Sequence, residues 1–329
     1  MSLALVALLV YTIGVKCRGL NKKEVYAPEH MFSLSETTTN KMMKAGMTDL
    51  IKHTKTHLVR IYPKGTRVSS SNYEPHRFWA TGAQLVALNW QTFDLGYMIN
   101  HAMFQRNGRS GYVLKPLALR APNKDPLMKR TSHIFQATII SAQQLPRPKN
   151  ALGHEIMSGN AVDPHVEVSL YVPDWPSVTS AVSRSNSVNK GKQRKDSSAV
   201  ATKAPNGSTS TVEQGPGGTL LASATPAPSV IPGKTISTKT GTVKNNGFNP
   251  VWEEKLSIPF ECVGDMMDLV FVRFVVRRQD DKEGDEPLAI YCASLGSLGR
   301  GYRHLPLHDS QLSQFLFSTL FVRIQIGGV

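Results

Sequence analysis

Between Asp174 and Thr235 the chain consists largely of Ser, Thr, Gly, Ala and Pro, with few large apolar side chains beyond Trp175. Such a segment buries too little apolar surface to offset the entropy of ordering its backbone, so it is expected to be a disordered insertion. Whatever folds around it must tolerate the interruption. On both sides the chain reads as strand. Val166, Val168, Leu170 and Val172 alternate with Glu167, Ser169 and Tyr171, the period of a half-buried strand. Leu320, Val322, Ile324 and Ile326 repeat the pattern, and Leu269 to Val276 is nearly all apolar, as in a central strand. Several short strands make a sandwich, which accepts a long insertion because loop closure costs only the logarithm of loop length. The chain from 132 to 329 is therefore expected to be all-β.

Upstream of Ala121 to Arg130 (APNKDPLMKR), a linker marked by two prolines and charge, the pattern changes. Phe32 to Ala45 reads as a strand end, a Ser33/Ser35 cap, and a helix through Lys41 to Lys44 stopped at Gly46. Leu58 to Tyr62 reads as a short strand ended by Pro63-Lys64-Gly65, and Leu85 to Trp90 as a fully buried strand. Strands alternating with helices call for a parallel sheet, barrel-like or doubly wound. Met1 to Val15 is apolar, but a membrane helix needs roughly 18 such residues, and the basic start of a secretory signal is missing. A buried strand ended by Lys16 and Arg18 accounts for it better.

The net charge of +14 implies an anionic partner, either nucleic acid or an acidic membrane. No aromatic-interleaved basic motif, zinc pattern or recognition helix accompanies the charge, which argues against nucleic acid. Gly233-Lys234-Thr235 lacks the upstream glycine of a phosphate-binding loop. The basic cluster Lys190 to Lys195 and the sequon-like Asn206-Gly207-Ser208 both fall in the insertion. Cys17, Cys262 and Cys292 are too widely spaced for a disulfide framework or a zinc site, which suggests a reducing compartment.

The stretch LVRIYPKGTRVSSSNYEPHRFWATGAQLVALNWQT from Leu58, then FQRNGRSGYVLKP up to Pro116, closely resembles the second conserved catalytic block (the Y region) of eukaryotic phosphoinositide-specific phospholipases C. VYTIGVKCRG (Val10 to Gly19) and SLSET (Ser33 to Thr37) resemble the same block in the same order. The resemblance implies that residues 1–120 form the C-terminal half of a TIM-type barrel. It also implies that Ser33, Arg60 and Tyr62 hold an inositol headgroup. The chemistry suits them: a guanidinium fork matches phosphate oxygens, a hydroxyl donates to the same group, and a phenol ring packs on the sugar alcohol. Arg60 and Tyr62, two apart on a strand, share a face. Without the resemblance, Arg60 reads as a surface ion-pair partner, Tyr62 as a core aromatic and Ser33 as a helix cap. Asn107-Gly108 reads as a turn, Gly111 and Pro116 as bounds of a strand, Trp79 as core, and Ser70-Ser71-Asn72-Tyr73 as loop structure. Asn40 and Thr66 stand where the family commonly places bulky membrane-entering residues.

NAVDPHVEVSLYV (Asn160 to Val172), VKNNGFNPVW (Val243 to Trp252) and GYRHLPL (Gly301 to Leu307) resemble the C2 domain that follows the barrel in this family. Calcium-binding C2 domains gather about six to eight hard oxygen ligands in loops at one end. Asp163 and Asn245 fall on two such positions, with the Ala161 carbonyl as a third and Asp280 as a fourth on a shifted loop. The next family aspartate falls on Arg278, beside Arg277, and a fixed cation there repels the metal.

The resemblance places the two catalytic histidines and the ligands of the catalytic Ca²⁺ in a first barrel half that this sequence does not contain. His30, His53, His57, His76 and His101 occupy no catalytic position. The expectation is therefore a phosphatidylinositol 4,5-bisphosphate hydrolase of plain delta-type architecture, cytoplasmic and peripheral on anionic membranes. This chain would be inactive until a missing half completes the barrel. The alternative is a non-catalytic C2-type module binding anionic lipid or protein. No nucleic-acid partner is expected.

Overall fold

The computed structural model describes residues 11–20, 25–123, 125–148, 155, 162–173, 234–282 and 284–328. Residues 174–233, which contain Trp175, Lys190 to Lys195 and Asn206, lie outside these, as do residues 1–10 of the strand expected over Met1 to Val15.

Strands β1 (Ile13–Gly14), β2 (His30–Ser35), β3 (Val59–Tyr62) and β4 (Leu85–Val86) form a parallel four-stranded sheet in that order. The register sets Ser33 beside Arg60 and Ser35 beside Tyr62. Alternation then divides the sheet. Phe32, Leu34, Val59 and Ile61 are buried on one face, against helix α1 (Glu36–Thr54) through Met43, Met47, Leu50 and Ile51. Ser33, Ser35, Arg60 and Tyr62 share the other face, and only partial cover lies over it. Leu85, the ladder partner of Arg60, is 46% exposed, and Ile13 is 39% exposed.

Ser35 caps α1, its hydroxyl accepting the Thr38 N–H at 3.2 Å. The helix does not stop at Gly46 as its sequence suggests. Gly46 leaves helical geometry (φ 176°, ψ 79°) and the helix resumes after it. Buried Met43 lies before the break and buried Leu50 and Ile51 after it, so packing on the sheet carries the helix across. Two further expectations fail. Leu85 to Trp90 is not a fully buried strand: β4 covers only two residues, and Trp90 is 67% exposed. No strand forms between Gly111 and Pro116. Asn107 and Gly108 do make a tight turn, with φ of 50° and 62°.

The chain continues through α2 (His76–Trp79), α3 (Leu95–Phe104) and α4 (Asp125–Met128), the last lying within the proline-marked linker. Ala121 of that linker is buried, and its carbonyl accepts the Lys55 ammonium. Strands β5 (Arg130–Gln143), β6 (Pro164–Val172), β7 (Lys234–Lys239), β8 (Val251–Val263), β9 (Phe271–Arg278), β10 (Ala289–Ser294), β11 (Gly301–His308) and β12 (Gln314–Gly328) follow. They run β7-β6-β9-β10-β11-β12-β5-β8, with a single residue pair linking β10 to β11. At that weak link the sheet folds over into two layers, with Phe135 of β5 meeting Phe274 of β9 at 6.5 Å between ring centroids. The inward residues are the ones the period-2 pattern singles out: Val166, Val168, Leu170, Leu320, Val322 and Ile324 are all fully buried. Lys234 and Thr235, counted with the insertion from sequence, already belong to β7.

Parallel sheet and sandwich share one packed core. Trp79 and His76 meet Phe271 at 6.1 Å each, and His76 meets Tyr171 at 6.4 Å. The Arg106 guanidinium donates to Asp268 at 2.8 Å beside them.

Candidate functional site

The exposed face of β2 and β3 brings Ser33, Arg60 and Tyr62 together. Arg60 Nη1 donates to Ser33 Oγ at 2.9 Å, and the Arg60 guanidinium carbon lies 5.2 Å from the Tyr62 ring centroid. Parallel pairing places Ser33 directly across from Arg60, and the two-residue repeat puts Tyr62 on the same side. Tyr62 ends its strand, so the group sits at the C-terminal edge of the sheet, where barrel sites form. A cavity of about 560 Å³ opens beside it, lined by Lys16, Cys17, Ser33, Ser35, Thr38 and Tyr62 among others. That volume is in the range of small-molecule sites, with Leu20, Leu34, Met42 and Ala45 making its wall largely apolar. Lys16, which the sequence marks only as a strand terminator, thus enters the same cavity wall.

The loop after β3 is fixed by a partly buried ion pair, with Glu36 buried and Arg67 at the edge. Arg67 Nε reaches both oxygens of Glu36 at 3.1 Å, and its Nη2 reaches Oε2 at 3.0 Å. Arg67 Nη1 also donates to Ser71 Oγ and to the Asn72 carbonyl, each at 3.1 Å. Asn72 donates to the Asn89 carbonyl at 3.0 Å and to Asp94 Oδ1 at 3.1 Å, and its own oxygen accepts the Asn89 N–H at 2.7 Å. The Ser70 to Tyr73 signature therefore ties the loop after β3 to the loop after β4. The Glu36–Arg67 pair was invisible in sequence, where Glu36 passes as a first-turn helix acid.

The histidines lie elsewhere. His53 stacks between Phe32 at 4.5 Å and His57 at 4.3 Å, on the helix-covered side of the sheet. Burial, then His57, pushes its pKa down to about 4. His76 is fully buried at the junction with the sandwich, and its pKa is pushed down to about 3 by burial and then by Arg77.

At the sandwich's loop end, Asp163 and Asn245 do meet, but not as calcium ligands. Asp163 Oδ1 accepts the Asn245 backbone N–H at 2.8 Å, and Oδ2 is 3.1 Å from the Lys244 ammonium. The Asn245 hydrogen bond first, and Lys244 second, hold the Asp163 carboxyl below its ordinary range. Asp281 is turned to Arg278, with Nε to Oδ1 at 2.7 Å, while Asp280 is exposed. Ala161 lies outside the described residues. Among those described, no three His, Cys, Asp or Glu side chains gather as a metal-binding group. Asp163, with one oxygen taken by an N–H and the other by an ammonium, does not offer the free oxygens that a Ca²⁺ shell requires.

Residues 5–118 match the family described as phosphatidylinositol-specific phospholipase C, Y domain, and residues 227–306 match the C2 domain family. A 1-phosphatidylinositol 4,5-bisphosphate phosphodiesterase 1 of Candida albicans is 30% identical over 96% of this chain and 26% of its own length. That of Saccharomyces cerevisiae is 31% identical over 95% of this chain and 32% of its own. The crystal structure of L. pealei PLC21 superposes with a TM-score of 0.67 at 26% identity, covering 100% of this chain and 34% of that one. The chain thus spans between a quarter and a third of the length of these two curated relatives.

A half-sheet of parallel strands packed on a C2-type sandwich is the architecture this chain shares with that phospholipase C structure. The chain carries, over residues 5–118, a Y domain of phosphatidylinositol-specific phospholipase C, followed by a C2 domain.

Proposed function

We propose that this chain is the headgroup-holding half of a phosphoinositide phospholipase C that hydrolyses phosphatidylinositol 4,5-bisphosphate to diacylglycerol and inositol 1,4,5-trisphosphate. The observation that carries this reading is the joining of Arg60 to Ser33 at 2.9 Å with Tyr62 alongside. The guanidinium fork and the hydroxyl give a phosphate two kinds of donor, and the phenol ring gives the inositol a face. A second barrel half supplies the acid–base histidines and the catalytic calcium ligands. The exposed Leu85 and Ile13 favour a surface made to be covered. The whole acts peripherally on anionic membranes in the cytoplasm. Among the described residues no helix is long and apolar enough to cross a membrane.

A second reading, a C2-type lipid- or protein-binding module without turnover, is favoured by one observation. Every described histidine of the first 120 residues lies off the Ser33–Arg60–Tyr62 cluster. Sedimentation of the full chain with vesicles separates the two. Neutral phosphatidylcholine vesicles carrying phosphatidylinositol 4,5-bisphosphate are compared with vesicles of equal charge made with phosphatidylserine. Wild type is expected to prefer the phosphoinositide, and Arg60→Ala to lose that preference by about tenfold or more, the ~1.5–3 kcal/mol of charge-assisted hydrogen bonds. Equal binding by both proteins would leave only the C2-type reading. Calcium-dependent hydrolysis by this chain alone would refute its role as one half.

A further inference from the structure

We infer that the loop end of the C2 sandwich is closed by the chain's own cations, with Lys244 occupying the place of a bound metal, so that this end is indifferent to Ca²⁺. The inference deepens the C2 part of the proposed function, on which it rests.

Among the described residues at or near this end, Asp163, Glu167 and Asp281 are each paired with a cation of this chain, while Asp280 is exposed. Lys244 Nζ lies 3.1 Å from Asp163 Oδ2, Arg277 Nε 3.2 Å from Glu167 Oε2, and Arg278 Nε 2.7 Å from Asp281 Oδ1. The pairs also join separate loops. Asp163 opens β6, Lys244 belongs to the loop between β7 and β8, and Lys244 further donates to the Gln279 side chain just beyond β9. The backbone repeats the link, with the Gln279 N–H donating to the Asp163 carbonyl at 2.9 Å. One ammonium therefore ties three segments at this end: the start of β6, the loop between β7 and β8, and the turn after β9.

The tether is built in by conformation. Asn245 adopts a left-handed backbone (φ 58°) that turns its N–H onto Asp163 Oδ1 at 2.8 Å. One of the two Asp163 oxygens is thus taken by a backbone N–H and the other by the Lys244 ammonium. Asp281 is held twice, its Oδ2 accepting the Arg278 backbone N–H at 2.9 Å, and its side chain is 1% exposed. Calcium entry would require ejecting an ammonium, reversing an N–H and exposing Asp281, all against cations already at bonding distance. A covalently attached cation also suffers no dilution, because its concentration beside Asp163 is set by the chain rather than by the medium.

Hydrogen exchange on the full chain tests this, in EGTA and in free Ca²⁺ of about 1 mM, the weak end of protein calcium sites. Wild type is expected to show equal protection under both conditions in peptides covering 162–166, 243–247 and 277–282. Lys244→Ala is expected to lose protection in all three together, with the remote peptide 320–326 unchanged as a check on folding. Lys244→Arg is expected to retain it. A calcium-induced rise in protection in wild type would overturn the inference, as would loss confined to 243–247 in Lys244→Ala. Binding to phosphatidylserine vesicles, measured in the same two media, separates this from docking of the sandwich on an anionic membrane, the lipid-binding part of the proposed function. Binding unaffected by calcium supports both, absence of binding in either medium removes docking while the closed loop end stands, and binding that requires calcium overturns the closed loop end.

Discussion

His76 should make this protein sensitive to mild acid, and the size of the effect follows from its burial. Its imidazole is fully buried among Tyr171, Phe271 and the residues around α2, and neither ring nitrogen has a hydrogen-bond partner. Glu74 Oε2 is 3.6 Å away, beyond a hydrogen bond, and burial has pushed the Glu74 carboxyl above its ordinary range. Burial first, and Arg77 second, lower the His76 pKa from 6.5 to about 3. A histidine depressed in this way takes up protons more readily once unfolded. Its contribution is therefore complete above about pH 6.5 and is lost as the pH falls toward the folded-state value. Near pH 5, about one and a half units below the unfolded value, the loss is about 2 kcal/mol.

His76→Met isolates this contribution. Methionine is close in volume, pairs well with aromatic rings, and leaves no hydrogen bond unmade, since His76 makes none. At neutral pH the variant should stay within about 1.5 kcal/mol of wild type. Urea unfolding of both proteins at neutral pH and near pH 5 gives the double difference, in which His53, Glu74 and the remaining titrating groups are common to both. Wild type should lose about 2 kcal/mol more than the variant. Equal losses would mean that the folded protein protonates or hydrates His76, and the dry junction described between sheet and sandwich would be wrong.

Two further changes probe the support of the candidate site. Glu36→Gln leaves the Arg67 guanidinium at a largely buried site without its charge partner, and breaking such a pair costs about 3 kcal/mol. Urea unfolding should show that loss; less than about 1 kcal/mol would mean the pair does not hold the loop after β3. In Gly96→Ala the new methyl would meet the Tyr73 carbonyl oxygen at 2.4 Å and Asn72 Cβ at 2.8 Å. Overpacking against backbone should cost about 1–3 kcal/mol, and thermal unfolding within error of wild type would show that α3 and this loop separate freely.

The sandwich was legible because a half-buried strand declares its inner face every second residue, as Val166 to Val172 and Leu320 to Ile324 do. The shared face of Arg60 and Tyr62 was legible for the same reason. Their alignment with Ser33 was not, since it depends on the register between β2 and β3, which pairing across the sheet decides. Local rules failed where packing overrode them. Gly46 signals a helix end, yet apolar residues on both sides keep α1 on the sheet. Leu85 to Trp90 is apolar enough for a buried strand, but an apolar run alone does not say what covers it. Lys244 carried no signal in sequence because its partner Asp163 lies far away along the chain, and the pairing of β6 with β7, continued by the Val243 N–H to the Pro164 carbonyl, brings them together.

The uncovered face of the sheet explains why recognition and chemistry would fall on separate halves. Parallel sheets occur almost only with both faces covered, and closed barrels of this kind use eight strands. Here α1 covers one face of a four-stranded sheet, while the other presents Ser33, Arg60 and Tyr62 beside exposed Leu85. In a closed barrel these side chains would meet residues of the opposite strands across the mouth. A headgroup held by Arg60 and Ser33 would then present its reacting phosphodiester to groups arriving from the other side. On the proposed reading Arg60 holds the part of the substrate that does not change during reaction, so in the completed enzyme Arg60→Lys should raise KM more than it lowers kcat. A fall confined to kcat would instead place Arg60 at the reacting phosphorus, and the division of labour between the halves would be wrong.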